Sequence, residues 1–168
     1  MTTPSQIPAA LCGLYPGART TIISTPKNGV GTAGRRMEDG CWSVRFDSGD
    51  FGWWAPEVLS LLLDSPLALC HAARWLAEQL GMDPGATAPG WAQYPCGEHC
   101  CNGETGEMAA CTRPVWSLGT DEGFVLFMDC PNPEAWDGEE CRHVPGIGDL
   151  TDPAAALAAA CVAVGGAS

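Results

Sequence analysis

The chain has 168 residues, of which 46% are hydrophobic, so it can bury the core of one large domain or two small ones. Eight basic residues against 20 acidic ones give a net charge of -12, which repels nucleic-acid phosphates and anionic lipids and argues against direct binding to either. No uncharged apolar stretch approaches the roughly 20 residues that cross a bilayer, and residues 1–10 lack the features of a secretory signal, so a cytoplasmic protein is expected.

Charge and cysteine content both change at Ser65. Residues 1–65 contain five basic and six acidic residues, whereas the remainder contains three basic and fourteen acidic residues together with eight of the ten cysteines. We interpret Ser65 as the start of a second domain. The predicted organisation is a flexible arm at 1–14, a small β domain at 15–64 and an acidic, Cys-rich α+β domain at 65–168.

The β domain is predicted from short apolar runs separated by turn pairs. The runs begin at Arg19 and end in an apolar strand before Asp64, and five strands within about 50 residues are typical of a small barrel. In the run at 41–47 every second residue is apolar, which predicts one buried face. Because alternation cannot place both Trp53 and Trp54 inside, one of them is expected to face outward.

Residues 15–63 carry a family resemblance in the segment GVGTAGRR…DGCWSVRFDSGDFGWWAPEVLSLL. This segment resembles an SH3-like or Tudor-like barrel, in which a Gly-rich second strand leads into a W-x-V-x-F-D-x-G hairpin. A Trp-bearing fourth strand and an apolar fifth strand follow in such barrels. The resemblance implies a binding module for peptides, modified tails or neighbouring domains rather than an enzyme.

After Ser65 the pattern becomes helical and then strand-like. Ser65 and Pro66 are a suitable N-cap and first residue of a helix that ends at Gly81. Apolar segments around Trp91, at 109–118 and at 123–129 predict antiparallel strands, with Pro114 favouring an edge or irregular strand. Residues 130–148 read as a long loop, and a final helix at 153–165 is capped at 151 or 152. The predicted fold is therefore α+β, with the barrel followed by a small α/β sandwich.

The second half also carries a resemblance, through its closing segment VPGIGDLTDPAAALAAACVAV. Residues 67–164 are similar to small alpha-beta-alpha sandwich domains of bacteriophage proteins, in which a leading helix and a closing Ala-rich helix recur. The long Cys-rich insertion departs from that pattern. The resemblance implies a phage or prophage accessory protein.

The cysteines suggest a metal site, most clearly in CysGlyGluHisCysCys at 96–101. Thiolate and imidazole ligands on a Gly-rich loop can hold zinc in tetrahedral geometry. The spacing lacks the paired Cys-x2-Cys knuckles of most structural zinc sites. The candidate ligands for one zinc ion are Cys96, His99, Cys100, Cys101, Cys130, Cys141 and His143.

Two alternatives to zinc remain open. The cysteines of these loops can form disulfides, which requires an oxidising compartment or assembly on a virion. They can also remain thiols that pack as small apolar residues. Packing is the reading that best fits the cysteines in apolar elements, which are Cys12, Cys41, Cys70 and Cys161.

Thiol catalysis is a further hypothesis, and the sequence gives it little support. A thiolate would need a neighbouring base, either His99 or His143, and an acidic residue to orient that base. Glu98 or Glu140 could supply the carboxylate. No flanking motif of a known thiol enzyme accompanies these residues, so the sequence leans toward a protein without catalytic activity.

Two groups of residues are candidates for contact with a protein partner. Aromatic rings on the barrel can accept a cation or a Pro-rich peptide, and acidic residues can form a negative face for a basic partner. The alternatives without a binding role are that the rings form the barrel core and that the acidic residues form an ordinary solvated surface. The candidate residues are Trp42, Phe51, Trp53, Trp54, Asp47, Asp50, Glu134, Asp137, Glu139 and Glu140.

These observations together predict a non-enzymatic binding protein. In this interpretation a phage accessory factor captures or inhibits a host defence protein through its barrel aromatics, its acidic face or both. One alternative is a structural component of a virion, in which cysteines cross-link and the barrel docks on a neighbouring subunit. The other is a small enzyme that uses a cysteine or a zinc-bound water.

Overall fold

Residues 5–25, 29–85, 87–96, 113–129 and 141–166 are described by the computed structural model. This part of the chain is α+β, with ten strands and three helices. It divides into two units, residues 1–72 and 73–168, and the division falls inside helix α2 (Pro66–Gln79). Among the described residues, no helix has both the length and the apolar character to span a membrane.

The first unit contains a curled antiparallel sheet of six strands. Their order is β1-β6-β2-β3-β4-β5, so the last strand in sequence lies between the first two. A 3-10 helix at Pro56–Val58 precedes that last strand. The strands are β1 (Gln6–Pro8), β2 (Arg19–Ile22), β3 (Val30–Arg36), β4 (Trp42–Phe46), β5 (Phe51–Trp54) and β6 (Leu59–Leu62).

The inner face of this sheet forms the core of the first unit. One row of cross-strand partners runs across five strands, through Ile7, Leu61, Thr20, Gly31 and Phe46. A Cβ added at Gly31 would lie 2.7 Å from Val44 Cγ1 and 3.1 Å from the carbonyl oxygen of Arg45. Strand β3 therefore needs glycine at this position because neighbouring core atoms fill the space of a side chain.

Residues 5–14 differ from the flexible arm that the sequence predicts at 1–14. Strand β1 pairs with β6, and helix α1 (Ala9–Cys12) follows it. The side chains of Ile7 and Leu14 are buried, with 0% and 7% of their surface exposed. Pairing of three residues of β1 with β6, together with the buried side chains, holds this segment in place. A segment this short shows no periodic pattern in the sequence, so the sequence does not predict it.

The second unit contains a four-stranded sheet in the order β10-β9-β8-β7. Its strands are β7 (Gly90–Pro95), β8 (Pro114–Thr120), β9 (Gly123–Met128) and β10 (Cys141–His143). The first three are antiparallel as predicted, whereas β10 lies parallel to β9 within the segment predicted as a loop. Strand β8 lies between β9 and β7, not at the edge that Pro114 predicts. The sheet tolerates this proline because it is the first residue of the strand, where the missing N–H leaves no ladder bond unmade.

Aromatic rings join the second sheet to helix α3 (Pro153–Gly165). The Trp91 ring stacks on Trp116 at 5.3 Å between centroids and meets Phe127 edge-on at 5.6 Å. The indole N–H groups of Trp91 and Trp116 donate to the carbonyl oxygens of Pro153 and Leu150. These contacts attach the start of α3 to the sheet.

Helix caps lie where the sequence places them. The hydroxyl oxygen of Ser65 accepts a hydrogen bond from the Ala68 amide at the start of α2. The carboxylate of Asp152 accepts bonds from the amides of Ala154 and Ala155 at the start of α3. Each cap pairs amide groups that the first helical turn leaves without intrahelical acceptors.

Candidate functional site

Strand β5 exposes two large rings on the outer face of the first sheet. Phe51 and Trp53 have 55% and 45% of their surface exposed, whereas Gly52 and Trp54 belong to the inner face. The expectation that one of the two adjacent tryptophans faces outward is confirmed for Trp53. Period-two alternation along the strand is the cause.

The two exposed rings are held between two arginines. The ring centroids of Phe51 and Trp53 are 5.5 Å apart, and the ring planes meet at 82°. The Arg45 guanidinium carbon lies 5.7 Å from the Phe51 centroid, and that of Arg35 lies 5.8 Å from the Trp53 centroid. We call Arg35, Arg45, Phe51 and Trp53 the arginine–aromatic face. Its geometry matches cation–π contacts at both ends of an edge-to-face ring pair.

The two arginines of this face differ from Arg19 in their ionic contacts. Within the described ranges, neither Arg35 nor Arg45 forms a salt bridge. Arg19, in the neighbouring strand, does form one with Asp47, through two guanidinium nitrogens at 2.9 and 2.5 Å from the carboxylate oxygens. The arginine–aromatic face therefore presents two guanidinium groups without a salt-bridge partner among the described residues, in a protein whose net charge is -12.

The two aspartates predicted as partner contacts are engaged in local structure. Hydrogen bonds from Arg19 lower the pKa of Asp47, so this carboxylate stays ionised and paired. Asp50 accepts a hydrogen bond from the Ser48 hydroxyl at 2.9 Å within the turn between β4 and β5. Both side chains are exposed; the bond of Asp47 ties the end of β4 to β2, and that of Asp50 lies in the turn that leads to Phe51.

The other two predicted aromatic contacts, Trp42 and Trp54, lie on the inner face. Trp42 is 7% exposed and lines a shallow pocket of about 240 Å³ together with residues of α1, Arg36 and Glu57. Trp54 meets the Phe46 ring edge-on at 6.2 Å, and its buried indole nitrogen has no hydrogen-bond partner among the described residues. These rings belong to the core side of the sheet.

The predicted zinc ligands fall mostly outside the described residues. Of the seven, Cys96, Cys141 and His143 are described, while His99, Cys100, Cys101 and Cys130 are not. Cys96 and Cys141 are half-buried and pack against the same apolar pair, Val115 and Met128. In the described ranges no three His, Cys, Asp or Glu side chains come close enough to hold a metal ion. A zinc site that combines the three described candidate ligands with the four undescribed ones stays a prediction.

His71 has a structural role in the first unit. Its Nε2 nitrogen lies 2.8 Å from the Cys12 carbonyl oxygen, which can only accept, so Nε2 carries the proton. Its ring also lies 5.0 Å from the Tyr15 ring. Both contacts connect α2 to the segment after α1.

Two described thiols are poor nucleophiles. Burial raises the pKa of Cys12 to about 11. Desolvation, followed by the charge and hydrogen bond of Asp39, raises the pKa of Cys41. Because the thiolate is the reactive form, neither residue is suited to thiol catalysis at neutral pH.

Cys12 is therefore expected to resist alkylation in the folded protein. With iodoacetamide at pH 8 we expect a rate about 100-fold below that of the same residue in urea, because almost no thiolate is present at that pH. Peptide mapping by mass spectrometry after timed quenching measures the rate at this residue. Equal rates in buffer and in urea would contradict the assigned burial.

The acidic residues predicted to meet a basic partner, which are Glu134, Asp137, Glu139 and Glu140, lie outside the described residues. The sequence does not predict Arg35 and Arg45 as contact residues. A usable signal was present for Arg45, since the tight turn at 48–49 aligns it with Phe51 across the hairpin. Arg35 carried no such signal, because a register shift between Ala33 and Arg36 interrupts the pairing of β3 with β4.

No protein-family model, curated protein or solved structure matches the chain.

Proposed function

We propose that this chain is a non-enzymatic binding protein that captures a protein partner through the arginine–aromatic face. The observation that carries the proposal is the exposure of Phe51 and Trp53 together. Solvent-accessible aromatic rings flanked by arginine have the composition of energetically important interface residues. The core of the first unit is filled by other rings, including Trp42 and Phe46. Core packing therefore does not explain why Phe51 and Trp53 are exposed to solvent.

We further propose that the first unit is an SH3-like barrel. The strand order supports this, because β6 returns beside β2 and the strands β2 to β5 follow as a meander. The 3-10 helix at Pro56–Val58, just before β6, fits the same architecture. Barrels of this class mostly serve as interaction modules, which agrees with a binding role.

The partner in this proposal is a host protein, and the chain acts in the host cytoplasm as a phage accessory factor. The resemblance of residues 67–164 to phage sandwich domains supports the accessory role. The acidic second half favours a basic surface on the same partner, as a second contact separate from the arginine–aromatic face. Inhibition of a defence protein would follow from occupying its working surface.

The double variant Phe51→Ala/Trp53→Ala is expected to lose partner capture by at least about tenfold, because it removes both anchor rings. The tagged chain is expressed in host cells, and captured proteins are quantified by mass spectrometry. Both side chains are exposed, so the variant should keep the circular dichroism spectrum and unfolding midpoint of the wild type.

The matched control is Tyr94→Ala/Phe124→Ala, which removes two rings of similar exposure from the second sheet, 56% and 52%. This control should capture the same proteins as the wild type. If all three chains recover the same proteins in equal amounts, the arginine–aromatic face is not the binding surface.

A further inference from the structure

Strand β5 has an open edge in the described part of the chain. It is the last strand of its sheet and pairs only with β4. The Phe46 amide donates to the Asp50 carbonyl oxygen at 2.8 Å, which fixes the alternation of hydrogen bonding along the hairpin. The amide and carbonyl groups of Phe51 and Trp53 therefore point away from β4.

Those backbone groups have no partner among the described residues. An edge of this kind is a template for an added strand. The same two residues carry the exposed rings, so an added strand would lie directly beside the arginine–aromatic face. Backbone pairing and side-chain recognition thus coincide at Phe51 and Trp53.

The two arginines near this edge determine which side chains on an added strand would be complementary to it. Residues opposite Phe51 and Trp53 would place their side chains on the outer face, where Arg45 and Arg35 lie over the rings. Both arginines are exposed and make no salt bridge within the described ranges. Carboxylates at alternate positions of the added strand are therefore complementary to this face.

We propose that the open edge of β5 binds an extended acidic segment of the partner, which adds to the sheet as a further strand with its carboxylates over the arginine–aromatic face. This inference rests on the proposed function and names the partner segment that the face recognises. A peptide fits better than a nucleic acid, because the open edge presents backbone amide and carbonyl groups rather than a groove for phosphates. Only a polypeptide backbone can pair with the alternating amide and carbonyl groups of the edge.

The test uses three fluorescein-labelled eight-residue peptides that alternate valine with glutamate, glutamine or lysine. Fluorescence anisotropy is measured with the full chain in 50 mM salt. We expect the glutamate peptide to bind, the glutamine peptide to bind about tenfold more weakly and the lysine peptide to bind least. Raising the salt should weaken binding of the glutamate peptide.

Variants of the chain test whether peptide binding depends on the charges of the two arginines. Arg35→Gln/Arg45→Gln keeps both rings and should reduce glutamate-peptide binding about tenfold, to the level of the glutamine peptide. Arg113→Gln removes an exposed arginine of the second unit and should leave binding unchanged. A glutamate peptide with alternate backbone nitrogens methylated should lose binding, because it cannot donate to the strand edge.

The outcomes distinguish this inference from the proposed function. If all three peptides bind equally and Phe51→Ala/Trp53→Ala abolishes binding, the rings bind peptides and the inference about acidity is wrong. If no peptide binds, or if labelled single-stranded oligothymidine binds in place of the glutamate peptide, the inference is overturned. The capture experiment with the ring variants then decides the proposed function by itself.

Discussion

Replacing Phe127 by alanine is expected to lower the free energy of unfolding by about 3–5 kcal/mol. Phe127 is 0% exposed on strand β9, and its ring meets the Trp91 ring. Truncation would leave a cavity beneath the stacked pair of Trp91 and Trp116, whose indole groups attach α3 to the sheet. Urea denaturation followed by circular dichroism measures the change.

The control for this experiment is Phe124→Ala, which makes the same chemical change on the same strand. Phe124 is 52% exposed, so its truncation should change the free energy of unfolding by less than about 0.5 kcal/mol. A loss of the same size in both variants would contradict the difference in burial between Phe127 and Phe124.

Replacing Leu61 by alanine is expected to cost about 2–5 kcal/mol of unfolding free energy. Leu61 is 0% exposed and lies between Ile7 of β1 and Thr20 of β2 in the row of residues that crosses the first sheet. The lost volume lies where three strands meet, so the backbone has little freedom to collapse into it. The midpoint and slope of urea unfolding give the value.

Leu67→Ala is the matched control, because Leu67 is 61% exposed near the start of α2. Its truncation should leave the urea midpoint within experimental error of the wild type. If instead Leu61→Ala unfolds at the wild-type urea concentration, the cross-strand row is not the core of the first unit.

The core of the first unit and the proposed recognition surface lie on opposite faces of one sheet. The inner face buries Leu61 and its neighbours, and removal of a core side chain should cost several kcal/mol. The outer face exposes Phe51 and Trp53 without a stability benefit of that size. Large aromatic side chains are usually buried, and their exposure together is expected at a surface that binds a partner.

Local chemistry was sufficient to predict most of the elements of regular structure. Alternating residues at 41–47 predict β4, and the turn at 48–49 predicts its hairpin with β5. Ser65 with Pro66, and Asp152 with Pro153, predict the starts of α2 and α3, because caps and first-turn prolines act within four residues of chain. The same short-range alternation predicts that one of Trp53 and Trp54 faces outward, and the structure shows that it is Trp53.

Long-range contacts decided the remainder. Strand β1 forms only because β6 lies beside it, and β10 forms only because β9 offers a parallel partner. Likewise, the meeting of Arg35 with the Trp53 ring depends on a register shift in β3 that no local pattern records. Short segments carry too few residues for a periodic signal, so their structure is set by the surface on which they pack. The sequence alone therefore determined most of the elements and the fact that one of the two adjacent tryptophans faces outward, because both follow from local patterns. The tertiary structure decided that this residue is Trp53, and it placed Phe51, two arginines and an open strand edge beside it, because these depend on contacts between distant segments.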